Sequence, residues 1–221
     1  MKKGLTEIIF ILDRSGSMGG LESDVIGGFN TMLKTQQAKE GDAIITTVLF
    51  DDRYELLHDR IPLKGVQPLT KEEYYVRGST ALLDAVGTTI DKISGAHQHT
   101  AADECPEKTL VIINTDGLEN ASRHYPANRI REMIAQQKKS FGWDFIFIGA
   151  NMDAVETAEH MGIDSSHAVT AMSDEQSMPL QFEAISHAVS SARFDEKFDG
   201  GWKKSVEADT ASRGFKGPSS R

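Results

Sequence analysis

The chain is poor in cysteine, in long apolar runs and in positive charge. Cys105 is the one thiol in 221 residues. It excludes an internal disulfide and agrees with a reducing, cytoplasmic compartment. No stretch approaches the roughly 20 consecutive apolar residues of a membrane-spanning helix, so no membrane segment is expected. Met1-Lys2-Lys3-Gly4 has the charge of a basic leader. The run behind it contains Glu7, ends at Asp13 and lacks a small-residue cleavage site, so a signal peptide is not expected either. Lys and Arg number 24 against 33 Asp and Glu, a net charge of −9. From Arg193 onward there are seven Lys/Arg and five Asp/Glu, which leaves +2 on the tail and −11 on the preceding body. An acidic body repels phosphate backbones, so nucleic acid is not an expected partner. Internal repeats and a Gly-rich Walker phosphate loop are both missing.

What is present reads as one soluble α/β domain. The hydrophobic fraction is 39% and the charged fraction 26%, ordinary values for a chain that buries a substantial core. Leu5 to Leu12 is an apolar, β-branched and aromatic run that predicts a buried strand. Val25, Ile26, Phe29, Met32 and Leu33 recur at helical spacing within 21–38. Ala43 to Phe50 predicts a second strand, and Tyr54 to Leu63 a third. The turn between them is too short for a parallel crossover, so the third strand must be antiparallel and at an edge. A helix opened by Ser79-Thr80 follows, then a polar loop from His97 to Pro106. Lys108 to Asp116 is a strand, Pro126 to Ser140 a helix and Trp143 to Ala150 a strand. A short helix over 153–161 and a short strand over 167–170 come next. Ser173 is expected to cap a helix that ends near Arg193. Strands alternating with helices predict a Rossmann-like, doubly wound, mostly parallel six-stranded sheet with helices on both faces. Residues 1–194 form the domain, and 195–221 a polar C-terminal tail whose last ten to fifteen residues are expected to be mobile.

The most informative stretch is Asp13-Arg14-Ser15-Gly16-Ser17-Met18, at the carboxyl end of the first strand. Open α/β sheets bind their ligands at that end. Oxygen donors on alternate residues suit a hard divalent cation, Mg²⁺ or Mn²⁺. A later strand also ends in a carboxylate, Asp116, and Thr80 starts a helix after Gly78-Ser79. In a sheet of order 3-2-1-4-5-6 these points meet at the topological switch point. The expected ligands are therefore Asp13, Ser15, Ser17, Thr80 and Asp116. Arg14 is expected to be exposed and to meet an incoming acidic partner. Tyr74, Tyr75 and Arg77 are candidates for the partner surface or for packing. His97, His99, Asp103, Glu104 and Cys105 fit no closed zinc spacing and read as a solvated loop.

Asp13-Arg14-Ser15-Gly16-Ser17, Thr80 and Thr115-Asp116-Gly117 together resemble the metal-ion-dependent adhesion site of the von Willebrand factor type A domain family. The resemblance covers about residues 4 to 193, with Ser79 where the family often has a second glycine. It implies an intracellular bacterial type of domain with an intact site. The implied function is metal-dependent binding of a protein whose Glu or Asp carboxylate completes the coordination. Implied partners include AAA+ ATPases and stress or metal-resistance systems. Two other readings stand beside it. A Mg²⁺-dependent phosphatase-like hydrolase also places an aspartate at a strand end, but it needs a second aspartate where Ser15 stands. An RNA-binding member of the same fold is disfavoured by the acidic body.

Overall fold

The computed structural model describes residues 1–194 and 200–214. Six strands form one sheet: β1 (Lys2–Asp13), β2 (Ala43–Phe50), β3 (Tyr54–Pro62), β4 (Pro106–Thr115), β5 (Asp144–Ala150) and β6 (Ala168–Ala171). The helices are α1 (Glu22–Gln37), α2 (Leu82–Gln98), α3 (Ala127–Phe141), α4 (Ala154–His160), α5 (Ser177–Arg193) and α6 (Lys204–Ser212). Strand order is β3-β2-β1-β4-β5-β6. Every neighbouring pair is parallel except β2 with β3. The fold class is the expected α/β one, and the antiparallel edge follows from the short link that joins β2 to β3.

Burial explains the sequence pattern. β1 is buried from Leu5 to Asp13, as a central parallel strand with both faces covered must be. Ile8, Phe10 and Leu12 face a core shared with α1 and α5, while Ile9 and Ile11 face one built with α2, α3 and α4. On the first face α1 and α5 touch closely at Gly28. A Cβ there would stand 2.3 Å from Phe182 Cδ2, so only glycine lets the two helices meet.

Three local expectations change. α2 continues through Gln98, so His97 lies on a helix rather than in the polar loop, and its Nε2 sits 2.6 Å from Oε2 of the buried Glu7. Ser173 does not cap α5. Asp174 does that work, accepting from the backbone N–H of Gln176 and Ser177 at 3.1 and 2.9 Å. Within the stretch read as a tail, Trp202 and Val206 join the core on the α5 side, and Trp202 Nε1 donates to Ser166 O at 3.1 Å. Residues 195–199 and 215–221 lie outside the described residues, and with them the last seven residues of the segment expected to be mobile; the described part of that segment up to Ser212 lies in α6. No helix among the described residues is long and apolar enough to cross a membrane.

Candidate metal centre

The carboxyl ends of β1 and β4 lie side by side, with Leu12 in register with Asn114 and Asp13 opposite Phe50 of β2. Four loops meet at this end of the sheet, and backbone hydrogen bonds stitch the other three to the one that precedes α2. Gly16 N–H donates to Gly78 O at 3.1 Å and Arg77 N–H to Arg14 O at 3.0 Å. Ala81 N–H reaches Asp51 O at 2.9 Å, and Asn120 and Ala121 N–H reach Thr80 O at 3.1 and 3.2 Å. Asn120 Oδ1 in turn accepts from Thr80 N–H at 3.0 Å. Thr80 is held from both sides and almost fully buried.

All five expected residues come together. Thr80 Oγ1 donates to Ser15 Oγ at 3.0 Å, Ser15 Oγ lies 3.1 Å from Ser17 Oγ, and Ser17 Oγ donates to Asp116 Oδ1 at 2.5 Å. Asp13 joins through the same turn, since its Oδ1 accepts from Ser15 N–H at 2.7 Å. Its Oδ2 accepts from the Thr115 hydroxyl. Tyr74 fixes the strand end by donating from its hydroxyl to Asp13 O at 2.5 Å.

The donor set fits a small hard cation. Ligands bonded at about 2.1 Å in an octahedron stand about 3.0 Å apart along each edge. The Thr80–Ser15 and Ser15–Ser17 separations have that length. The donors are hydroxyl and carboxylate oxygens, which suit Mg²⁺ or Mn²⁺ better than softer ions. Among the described residues no three His, Cys, Asp or Glu gather at one point, so this cluster depends on its hydroxyls. Gly117 leaves room for them. A Cβ there would approach Thr80 Oγ1 to 2.6 Å and Ser17 Oγ to 3.2 Å. Gly117→Ala should therefore weaken Mn²⁺ binding by about tenfold or more, at the scale of disturbed outer-shell contacts. Calorimetric titration of the variant beside the unaltered protein checks this.

Burial sets the electrostatics of Asp13. Asp13 is 1% exposed. Burial pushes its carboxyl up to about 6 against the hydrogen bonds from Thr115 and Ser15, and the nearby Asp116 adds to the rise. Burial likewise holds the Tyr74 phenol far above its ordinary range, with Asp13 contributing.

Arg14 departs from expectation. It is fully buried and points away from the metal face. Its Nε donates to Asp51 Oδ2 at 3.0 Å, one terminal nitrogen to Glu55 Oε2 at 2.6 Å and the other to Glu73 O at 3.2 Å. Asp51 also accepts from Arg77 Nε at 2.6 Å. Burial alone would raise the Asp51 carboxyl, but its donors, led by Arg77, hold it below its usual value. Tyr74 is packed, and Tyr75 is half exposed with Arg14 and Arg77 guanidinium carbons 5.2 and 5.4 Å from its ring centre. Sequence reasoning missed Ser173, whose Oγ donates to Asp116 Oδ2 at 2.8 Å. It lies two residues past the carboxyl end of β6, so the rule that singled out Asp13 and Asp116 also pointed to it.

No family model matches the sequence, and no curated protein matches it either. Solved structures do. The von Willebrand factor domain of Mfa5, a type V pilus tip protein of Porphyromonas gingivalis, is 14% identical with a TM-score of 0.63, over 84% of this chain and 95% of that one. Proximal thread matrix protein 1 of the mussel byssus is 17% identical with a TM-score of 0.57, over 86% of this chain. The present chain spans about half of that protein, 46% of its length. A form of the mussel protein with a zinc-occupied adhesion-site motif has a TM-score of 0.53 at 13% identity, over 83% of this chain and 45% of that one. A von Willebrand factor type A protein of Catenulispora acidiphila is 15% identical with a TM-score of 0.52, over 82% of this chain and 41% of that one. With the sheet order above, these similarities give the class: the chain has the von Willebrand factor type A fold. At these identities they establish the fold alone.

Proposed function

We propose that this domain binds Mg²⁺ or Mn²⁺ through Ser15, Ser17, Thr80, Asp116 and Asp13, and uses the ion to capture a Glu or Asp carboxylate on a protein partner. The observation that carries the reading is the chain of hydroxyls at octahedral-edge spacing that ends on Asp116. Ser15, Ser17, Thr80 and Asp116 would hold the ion. Both Asp13 oxygens are engaged by Ser15 N–H and Thr115, so Asp13 serves best by orienting the turn and a bridging water. The bound ion supplies an electrophilic position that an anionic oxygen from outside completes.

A binding module is favoured over a hydrolase. Ser15 stands where a phosphatase of this general arrangement needs its second carboxylate, and its hydroxyl is tied to Ser17 and Thr80. The zinc-occupied motif of the mussel protein supports the metal reading by likeness of fold. Candidate partners, by resemblance, are bacterial cytoplasmic AAA+ ATPases and stress-response proteins. The test is capture from a bacterial lysate by immobilised protein, with Mg²⁺ or with chelator. Asp13→Ala should lose the chelator-sensitive partner and keep a native circular-dichroism spectrum. Capture by that variant at the unaltered level removes the site from the function.

A further inference from the structure

The end of the described chain reaches the metal face. Arg213, which follows α6, forms a forked pair with Asp209, Nε to Oδ1 at 2.8 Å and a terminal nitrogen to Oδ2 at 2.6 Å. Its other terminal nitrogen donates to Asp174 Oδ2. Asp174 is the residue whose Oδ1 caps the start of α5, and its neighbour Ser173 donates to Asp116 Oδ2. Ser17, Ser173, Asp174 and Arg213 line one open cleft. The base of this unit is anchored independently: Lys203 Nζ donates to Ser165 O at 2.9 Å and Ala168 O at 2.8 Å, and Val206 is fully buried.

We infer that residues 200–214 act as a clamp on the metal site, with Arg213 and Ser173 as positioning residues for Asp116. The inference rests on the metal-binding reading above. Asp116 has one oxygen on Ser17, inside the donor chain, and the other on Ser173, outside it. The outer contact sets the carboxylate's rotation and so the direction of the oxygen offered to the ion. Ser173 sits in the connection between β6 and α5, and the Arg213–Asp174 pair fixes that connection one residue away. Outer hydrogen bonds of this kind orient metal ligands and commonly govern affinity by about tenfold or more. Coupling is reciprocal: if α6 steadies the site, a bound ion must steady α6 to the same extent.

The experiment is calorimetric titration of Mg²⁺ and Mn²⁺ into the full chain and into Ser173→Ala, Arg213→Ala and Arg213→Lys, with hydrogen exchange of the 200–214 amides with and without Mg²⁺. Ser173→Ala should bind about tenfold more weakly. Arg213→Ala should lose at least about twofold, within the range for coupled residues that do not touch the ligand. Arg213→Lys, which keeps a cation beside Asp174, should recover part of the loss. Mg²⁺ should slow exchange of the 200–214 amides in the unaltered chain and not in Arg213→Ala, a response that a merely structural helix would not give. If Arg213→Ala detaches α6 altogether, Asp174→Asn breaks the same charge pair while its Oδ1 still caps α5, and should weaken binding similarly. Equal affinity in all variants, with exchange indifferent to the ion, overturns the clamp and leaves the metal site standing. An unaltered chain that binds neither ion overturns both.

Discussion

Replacing Arg14 by alanine is expected to lower the unfolding free energy by about 3–5 kcal/mol, the scale for removing one member of a buried ion pair. The side chain is fully buried and donates in three directions, to Asp51, to Glu55 and to the carbonyl of Glu73. Alanine leaves the buried Asp51 carboxylate with Arg77 as its remaining charged partner and leaves a cavity beside Tyr75. Lysine should rescue little, because one ammonium group cannot span three acceptors that a planar guanidinium serves together. Urea unfolding followed by circular dichroism reads the loss as a lower midpoint at unchanged slope. A loss under about 0.5 kcal/mol, the range of ordinary surface substitutions, would show that Arg14 is the exposed partner contact that its place in the motif suggests.

Asp13→Asn should do two opposite things. It should abolish divalent-cation binding, and it should stabilise the cation-stripped protein at neutral pH. The folded-state carboxyl sits at about 6 against an ordinary 3.8. Below pH 3.8 both folded and unfolded chains hold the proton, and no penalty applies. As pH rises from 3.8 to 6 the unfolded chain releases it first, so stability falls. Above pH 6 the full cost of a buried charge is present, about 3 kcal/mol at 1.36 kcal/mol per pH unit. Asparagine carries no such charge and keeps an oxygen for Ser15 N–H. The difference in thermal midpoint between variant and stripped protein should therefore grow between pH 4 and 6 and level off above it. A cation at about 1,000 times its Kd reverses the ranking at pH 7.5, since it adds about 4.1 kcal/mol to the form that binds it. A variant less stable than the stripped protein at pH 7.5 would contradict the assignment of strain to Asp13.

Both predictions turn on residues whose meaning the sequence conveyed unequally. The sheet order, its antiparallel edge and the five converging oxygens were legible, because each rests on a local signal. These signals are an apolar run, a short turn and a polar residue just past a strand end. Arg14 was misread because a side chain's direction within a turn is set by distant partners. Asp51 and Glu55 lie 37 and 41 residues away, on the β2–β3 hairpin. From the sequence Ser173 reads as a helix cap, because Ser before a helix commonly is one. Its neighbour Asp174 fills that role and frees Ser173 to reach Asp116. Trp202 and Val206 have no helical period strong enough to announce burial, and their place in the core is decided by the α5 surface they cover.

The central claim is that the cluster around Ser15 holds a divalent cation. Calorimetric titration of Mn²⁺ into chelator-stripped protein at pH 7.5, with Asp13→Asn alongside, tests it most directly. A single saturable site in the unaltered chain, lost in the variant, is the predicted result. No saturable heat in either protein, or equal binding in both, would contradict the account.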